Sequence, residues 1–216
     1  MSTSSDHVKR TNPMITLHHL RISRSSRIIW LLEEMGADYE LKCYDRTPEF
    51  RAPPELAEVH PLGKAPTVEV DGRVMVESGA IIEYLVERHG GGKLTPPDDC
   101  RAEYLEWLHF AEGTLAMPLI LNSLEPMFGG YSDRLKGFVS AEVTKQLDYL
   151  EDHMKDREWL LGDVFTGADV NMGYLAEHMH ATGLLKERPG LSAYRERMIA
   201  RPAYQTMLDK GGPLRP

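Results

Sequence analysis

The stretch His60-Pro-Leu-Gly-Lys-Ala-Pro-Thr-Val-Glu-Val-Asp-Gly-Arg-Val-Met-Val-Glu-Ser-Gly-Ala-Ile81 decides how the first third of this chain is read. Thr67 to Val70 and Arg73 to Val76 are short runs with β-branched residues. The Asp71-Gly72 pair between them supplies the positive φ angles of a two-residue hairpin turn. Pro66 stands immediately before the first of these strands. Proline has no N–H for a ladder, so there it marks either a plain trans strand start or an edge, a bulge or a cis Ala65–Pro66 bond. In the cis case the N–H and C=O of Ala65 turn towards solvent, ready to pair with an extended peptide as an added strand. Glu77-Ser78 sits where the second strand hands over to a helix carrying Ile81, Ile82, Leu85 and Val86. Ser78 suits an N-cap, the helix start offers N–H donors to a carboxylate, and Glu77 can hold an amine beside it. An α-amino and α-carboxyl pair fits this junction; so does a serine that only caps.

Working upstream, Met14 to Leu20 reads as a buried strand and Arg21 to Ser26 as a loop. Ile28, Ile29, Leu31, Leu32 and Met35 then recur at helical spacing up to Gly36, a C-cap residue. Tyr39 to Tyr44 is a second strand, so the unit is β-α-β with a helix long enough for a parallel crossover. A short helix around Glu55 to Val59 precedes the hairpin. Downstream, Gly90 to Asp99 is rich in Gly and Pro and reads as a linker. Beyond it the pattern is helical: Ala102 to Leu124 with a kink expected at Pro118, Asp133 to Met154, Ala168 to Thr182, Gly190 to Ile199, and Pro202 to Leu208. The expected division is a polar tail over residues 1–13, an α/β domain over 14–90, a linker over 91–99 and an all-α domain over 100–216.

The 216 residues are 42% hydrophobic and 27% charged, an ordinary globular composition. Lys+Arg 25 against Asp+Glu 33 gives a net charge of −8, which disfavours a nucleic-acid scaffold. Two cysteines, Cys43 and Cys100, suggest neither a disulfide framework nor a zinc site, and a cytoplasmic location is expected. No apolar run approaches a membrane span. The pairs His18-His19 and His178-x-His180 do not present two ligands together, so no metal is expected.

At the other strand-to-helix junction, Ser23-Arg-Ser-Ser-Arg27 places hydroxyls at a helix start with Arg21, Arg24 and Arg27 around them. An anion there is favoured by charge and by the helix dipole. If the anion is a thiolate, a serine O–H donated to sulfur lowers its pKa. Solvated arginines around a capping serine are the alternative.

Taken together these residues resemble the glutathione S-transferase family from Met14 to about Leu208. The resemblance is carried by Ser23 four residues before Arg27, by Trp30-Leu-Leu-Glu-Glu34, by His60 to Pro66 and by Glu77 to Leu85. In the second half, Phe165-Thr-Gly-Ala-Asp169 looks like the family's N-capping box. The resemblance implies a thioredoxin-like N-terminal domain with a mixed four-stranded sheet, followed by an all-helical domain. It implies a glutathione transferase that activates the glutathione thiol as thiolate for attack on a hydrophobic electrophile, a detoxification reaction. Ser23 would stabilise the thiolate, with Ser25 and Ser26 close enough to compete for that role. Lys64 and Ala65, beside a cis Pro66, would hold the cysteinyl-glycine portion, and Glu77 and Ser78 the γ-glutamyl end. Glutathione would be a co-substrate, no metal would be needed, and a homodimer is implied. Ile22 departs from the polar residue that similar sequences carry before the serine. The electrophile wall is expected along Trp107, Leu108, Phe110, Ala111 and Leu115 to Met117. The alternatives are glutathione-dependent peroxide reduction and a non-catalytic glutathione-binding module of the same fold.

Overall fold

The structure is a computed structural model and describes residues 15–214; the tail expected over residues 1–13 lies outside them. Strands β1 (Ile15–Leu20), β2 (Tyr39–Tyr44), β3 (Thr67–Val70) and β4 (Arg73–Val76) form a sheet in the order β2-β1-β3-β4. β1 runs parallel to β2 and antiparallel to β3, and β3 and β4 form the hairpin. Asp71 and Gly72 turn it with φ of 51° and 73°, as the dipeptide predicts. Every residue of β1 is buried, which suits a central strand covered on both faces.

Helix α1 (Ser26–Met35) crosses between β1 and β2, with Gly36 at φ 66° closing its C-terminus. Periodicity predicts one apolar face, yet Ser26 to Leu32 are all buried, because the helical half covers the other side. Helix α2 (Glu55–Val59) precedes the hairpin and α3 (Ser78–His89) follows it. The second half comprises α4 (Arg101–Phe110), α5 (Ala116–Leu124), α6 (Asp133–Met154), α7 (Gly167–Ala181), α8 (Pro189–Ile199) and α9 (Pro202–Gly211). The bend expected at Pro118 takes the form of a π turn over Ala111–Leu115, where the Ala116 N–H reaches back to the Ala111 carbonyl. Proline has no N–H and its ring crowds the carbonyl four residues back, so the turn before it widens. The expected capping box starts α7: the Thr166 hydroxyl accepts from the Ala168 N–H, and the Thr166 N–H donates to Asp169 Oδ2 at 2.8 Å. Asp169 Oδ1 also accepts from the Leu160 N–H and the Tyr194 hydroxyl, which fixes α8 and the preceding loop against α7.

Trp30 of α1 is a large apolar contact between the halves. Its ring meets Tyr204 edge-on at 5.0 Å and tilts against Phe165 at 5.5 Å, and its Nε1–H donates to Glu34. Gly173 of α7 lets the indole lie against the helix backbone: a Cβ there would stand 2.5 Å from Trp30 Cζ3. Gly173→Ala is expected to destabilise the protein by about 1–3 kcal/mol, by the cost of overpacking a core. Chemical denaturation checks it, and an unchanged midpoint would mean that Trp30 can move aside.

Candidate active site

Two adjoining clefts open along the line where β1 ends and β3 and α3 begin, against the helical half. One, of about 180 Å³, is lined by residues that include Pro66, Glu77, Ser78 and Glu112. The other, of about 460 Å³, is lined by residues that include Ser23, Arg46, Phe50, Arg51 and Tyr174. Arg24, Leu62, Lys64 and Ala65 line both. The six residues singled out in the sequence, Ser23, Lys64, Ala65, Pro66, Glu77 and Ser78, therefore share one continuous groove.

The Ala65–Pro66 peptide is cis. Gly63 at φ 54° turns the chain into it, and the Thr67 hydroxyl donates to the Lys64 carbonyl at 2.8 Å. Among the described residues neither the N–H nor the C=O of Ala65 has a hydrogen-bond partner, so both are free to pair with a ligand backbone. Glu77, at φ 72° and ψ 111°, lies in a conformation that costs a side chain about 1–3 kcal/mol and that is met mostly at functional sites. Its carbonyl accepts the first helical hydrogen bond, from Ile81. The N-cap position is thus Glu77, and Ser78, expected as the cap, is the first helical residue with its side chain buried in the groove wall. The side chains of Lys64, Glu77 and Arg51 form no ion pair among the described residues, which leaves two cations and one anion along the groove for a zwitterionic ligand.

Of the three serines, Ser23 alone lines the groove and keeps some exposure, 7%, whereas Ser25 and Ser26 have none. The Ser26 hydroxyl donates to the Ser23 carbonyl at 3.1 Å, and Ser25 lies behind Ser23 with the two Oγ atoms 2.7 Å apart. The preceding Ile22 is at φ 56°, a left-handed conformation unusual for a β-branched side chain. Arg46 holds it there by donating to the carbonyls of Arg21, Ile22 and Phe50 at 3.1, 2.6 and 2.9 Å, while stacking 4.2 Å over the Phe50 ring.

The arginine cluster expected to meet an anion is mostly committed elsewhere. Arg21 pairs with Asp45, Arg24 with Glu112 in a bidentate contact, and Arg27 with Glu112 and Asn171, both at 2.6 Å. The Arg27 side chain is fully buried. Its sequence spacing from Glu112 carries no hint of this pairing, and the π turn that aims Glu112 at the groove gives no periodic signal. Likewise Leu108, Ala111, Leu115 and Ala116, expected as an electrophile wall, are core residues, and Trp107 is buried against Phe110 and Tyr149. The groove wall on the helical side is formed instead by Glu112 and Tyr174, with Arg46, Phe50 and Arg51 opposite. Sequence reasoning did not single out these five residues.

Burial pushes the Glu112 carboxyl upwards, but Arg27 and Arg24 outweigh it and hold it below the ordinary carboxylate range. A carboxylate depressed in the folded state stabilises the fold above its unfolded value, near 4.3 for Glu by the usual reference, and that contribution is lost as pH falls through the lower folded value. Glu112→Gln leaves the Arg27 guanidinium buried without a counter-charge. It is expected to cost about 2–4 kcal/mol at neutral pH, the lower part of the range for breaking a buried pair because Glu112 is partly exposed. The difference from the unmodified protein should shrink below pH 4 in urea titrations; a constant difference would contradict the pairing.

The chain is similar to known proteins over most of its length. Residues 12–87 match the family model for the glutathione S-transferase N-terminal domain, and residues 114–202 match that for the C-terminal domain. Glutathione S-transferase 3 of Schizosaccharomyces pombe is 41% identical over 176 residues, covering 74% of this chain and 72% of that one. Glutathione S-transferase 1 of Saccharomyces cerevisiae is 31% identical over 185 residues, covering 75% and 79%. Among solved structures, a glutathione S-transferase from Actinobacillus pleuropneumoniae superposes with a TM-score of 0.84 at 33% identity, covering 93% of this chain and 94% of that one.

Proposed function

The chain belongs to the glutathione S-transferase family and is a glutathione transferase, and from that premise we propose how its groove binds and activates glutathione. The observation that carries the reading is the single groove shared by Ser23, Lys64, Ala65, Pro66, Glu77 and Ser78. The free N–H and C=O of Ala65 pair with the cysteinyl backbone as an added strand, and Lys64 attracts the glycine end. Glu77 takes the γ-glutamyl ammonium, while Ser78 and the first N–H groups of α3 take its carboxylate. This seats the sulfur beside Ser23, whose O–H donates to it.

One hydrogen bond to a charged acceptor contributes about 1.5–3 kcal/mol. That raises a thiolate population of a few per cent at neutral pH by about tenfold or more. The thiolate then attacks an electrophilic carbon held alongside, and the protein supplies orientation rather than a covalent nucleophile. We place the electrophile between Phe50, Tyr174 and Arg46, whose apolar and aromatic faces flank the groove beyond Ser23. Cys43 on β2 and Cys100 before α4 do not line either cleft, which argues for conjugation over disulfide exchange by the protein itself. The division into 14–90, 91–99 and 100–216, a two-fold homodimer, a cytoplasmic location and a detoxifying role belong to the same reading, and sedimentation analysis tests the dimer.

Ser23→Ala is expected to lower kcat/KM for conjugation of an aryl halide by about 10²-fold, the usual effect of removing one donor to a developing or full anion. The ultraviolet thiolate absorbance of bound glutathione should be lost with it. Glu77→Gln should instead raise the KM for glutathione by about tenfold or more and spare kcat, since it removes a charge-assisted contact made in ground and transition states alike. Unaltered conjugation in Ser23→Ala would end the assignment.

A further inference from the structure

Behind Ser23 lies a buried chain of polar groups that the reaction as described leaves unused. Ser23 Oγ is 2.7 Å from Ser25 Oγ, Ser25 Oγ is 2.8 Å from His19 Nδ1, and His19 Nε2 is 2.9 Å from the carbonyl oxygen of Gly211. His19 and Ser25 have no exposed surface.

The directions of these bonds follow from what each group can do. A carbonyl only accepts, so His19 Nε2 carries a hydrogen and donates to Gly211. Burial, the largest influence on this imidazole, favours its neutral form, so Nδ1 is an acceptor. Ser25 then spends its one proton on Nδ1; the Leu20 carbonyl at 3.3 Å is the longer alternative. Ser25 Oγ has only lone pairs left for Ser23, so the Ser23 proton points inward. The Ser25 N–H also donates to Ser23 Oγ, at 3.1 Å. With His19 neutral, Ser23 thus offers the groove a lone pair. A thiol can donate to that lone pair, but a thiolate cannot be stabilised by it.

We propose that Ser25 and His19 are positioning residues for Ser23, and that His19 takes up the proton that the glutathione thiol gives up, relayed through the two serines. The proposal rests on Ser23 facing the sulfur. The S–H bond breaks with its electron pair staying on sulfur and its proton passing to Ser23 Oγ. The Ser23 proton moves to Ser25 Oγ, and the Ser25 proton to His19 Nδ1. Each oxygen loses and gains one proton, the hydroxyls reverse, Ser23 now donates to the thiolate, and His19 becomes an imidazolium donating to Ser25 and to Gly211.

The surroundings of His19 are mixed towards that charge. The Gly211 carbonyl belongs to the C-terminal end of α9, the negative end of the helix dipole, which favours a cation. The thiolate at the other end of the relay adds attraction. Arg21, whose Nη1 lies 3.4 Å from the same carbonyl, opposes it. The neighbour across β2 is Cys43, and α1 contributes the apolar Ile29 beside Gly211. Gly211 is itself adapted to this contact, since a Cβ there would lie 3.2 Å from His19 Nε2 and 2.7 Å from Ile29 Cδ1.

The test is nitrogen NMR of the full chain with labelled histidine, using His19→Gln only to assign the His19 signals among the nine histidines. In the free protein His19 should show the neutral Nε2–H form. With saturating glutathione both nitrogens should be protonated, and with S-methylglutathione, which has no thiol proton, His19 should stay neutral. Calorimetry in buffers of different ionisation enthalpy should find fewer than half as many protons released as thiolates formed. In Ser25→Ala, which keeps Ser23 and the imidazole but cuts the relay, His19 should stay neutral and one proton should be released per thiolate. A bound thiolate beside a neutral His19 in the unmodified protein overturns the relay alone. Absence of any bound thiolate overturns the assignment of Ser23, and the relay with it.

Discussion

One guanidinium, that of Arg27, sets how the two halves of this protein meet. It leaves the sheet-side helix α1 fully buried and ends between Glu112 of the π turn and Asn171 of α7, each at 2.6 Å. Asn171 in turn donates to the Leu108 carbonyl of α4, so three helices are fixed by reference to one side chain. Taking such a charge out of water is costly by several kcal/mol, and Glu112 and Asn171 meet only its Nη1, while Nε and Nη2 are buried without a hydrogen-bond partner among the described residues. The partner is shared: Glu112 also receives Arg24, which lies on the groove wall. Tyr174 closes the arrangement, with its ring 5.3 Å from the Arg27 guanidinium carbon and 5.8 Å from that of Arg24. The boundary between the halves and the side wall of the groove are therefore the same set of contacts.

Around this polar point the apolar packing is less demanding about angle. Trp30 is wedged among Gly173, Phe165 and Tyr204, and Arg201 caps the wedge by pairing with Glu34 and lying 3.8 Å over the Phe165 ring. Hydrophobic burial is non-directional and supplies most of the adhesion. The buried ion pair supplies orientation, and orientation is what a groove built from both halves requires.

What could be read from residues alone follows the range of the forces involved. The hairpin at Asp71-Gly72, the C-cap at Gly36, the Thr166–Asp169 box and the helix from Asp133 to Met154 are written in spacings of a few residues, and the structure has each of them. Ala65, Pro66, Glu77 and Ser78 stand out for a similar reason, since each sits at a strand end marked by local turn chemistry, whereas Lys64 and the choice of Ser23 among three serines come from the family resemblance. Arg24 does line the groove and Arg27 does not, but their pairing with Glu112 has no local signal because it lies 88 and 85 residues away along the chain. Glu112 and Tyr174 are not legible from sequence, because an acid in a π turn and a tyrosine in a mostly buried helix have no pattern that marks them as facing a groove. That the cap is Glu77 rather than Ser78 is not legible either, because a serine is the expected residue there and a glutamate at positive φ is not.

The hydrogen bond from His19 to Gly211 joins positions 192 apart, a strand near one end of the chain and the last turn of α9. The sheet itself pairs only strands from the first half of the chain. The imidazole beneath its central strand, however, has no acceptor for Nε2 until Gly211 has been made and α9 has docked. The polar chain behind Ser23 is therefore complete only once α9 has docked against α1.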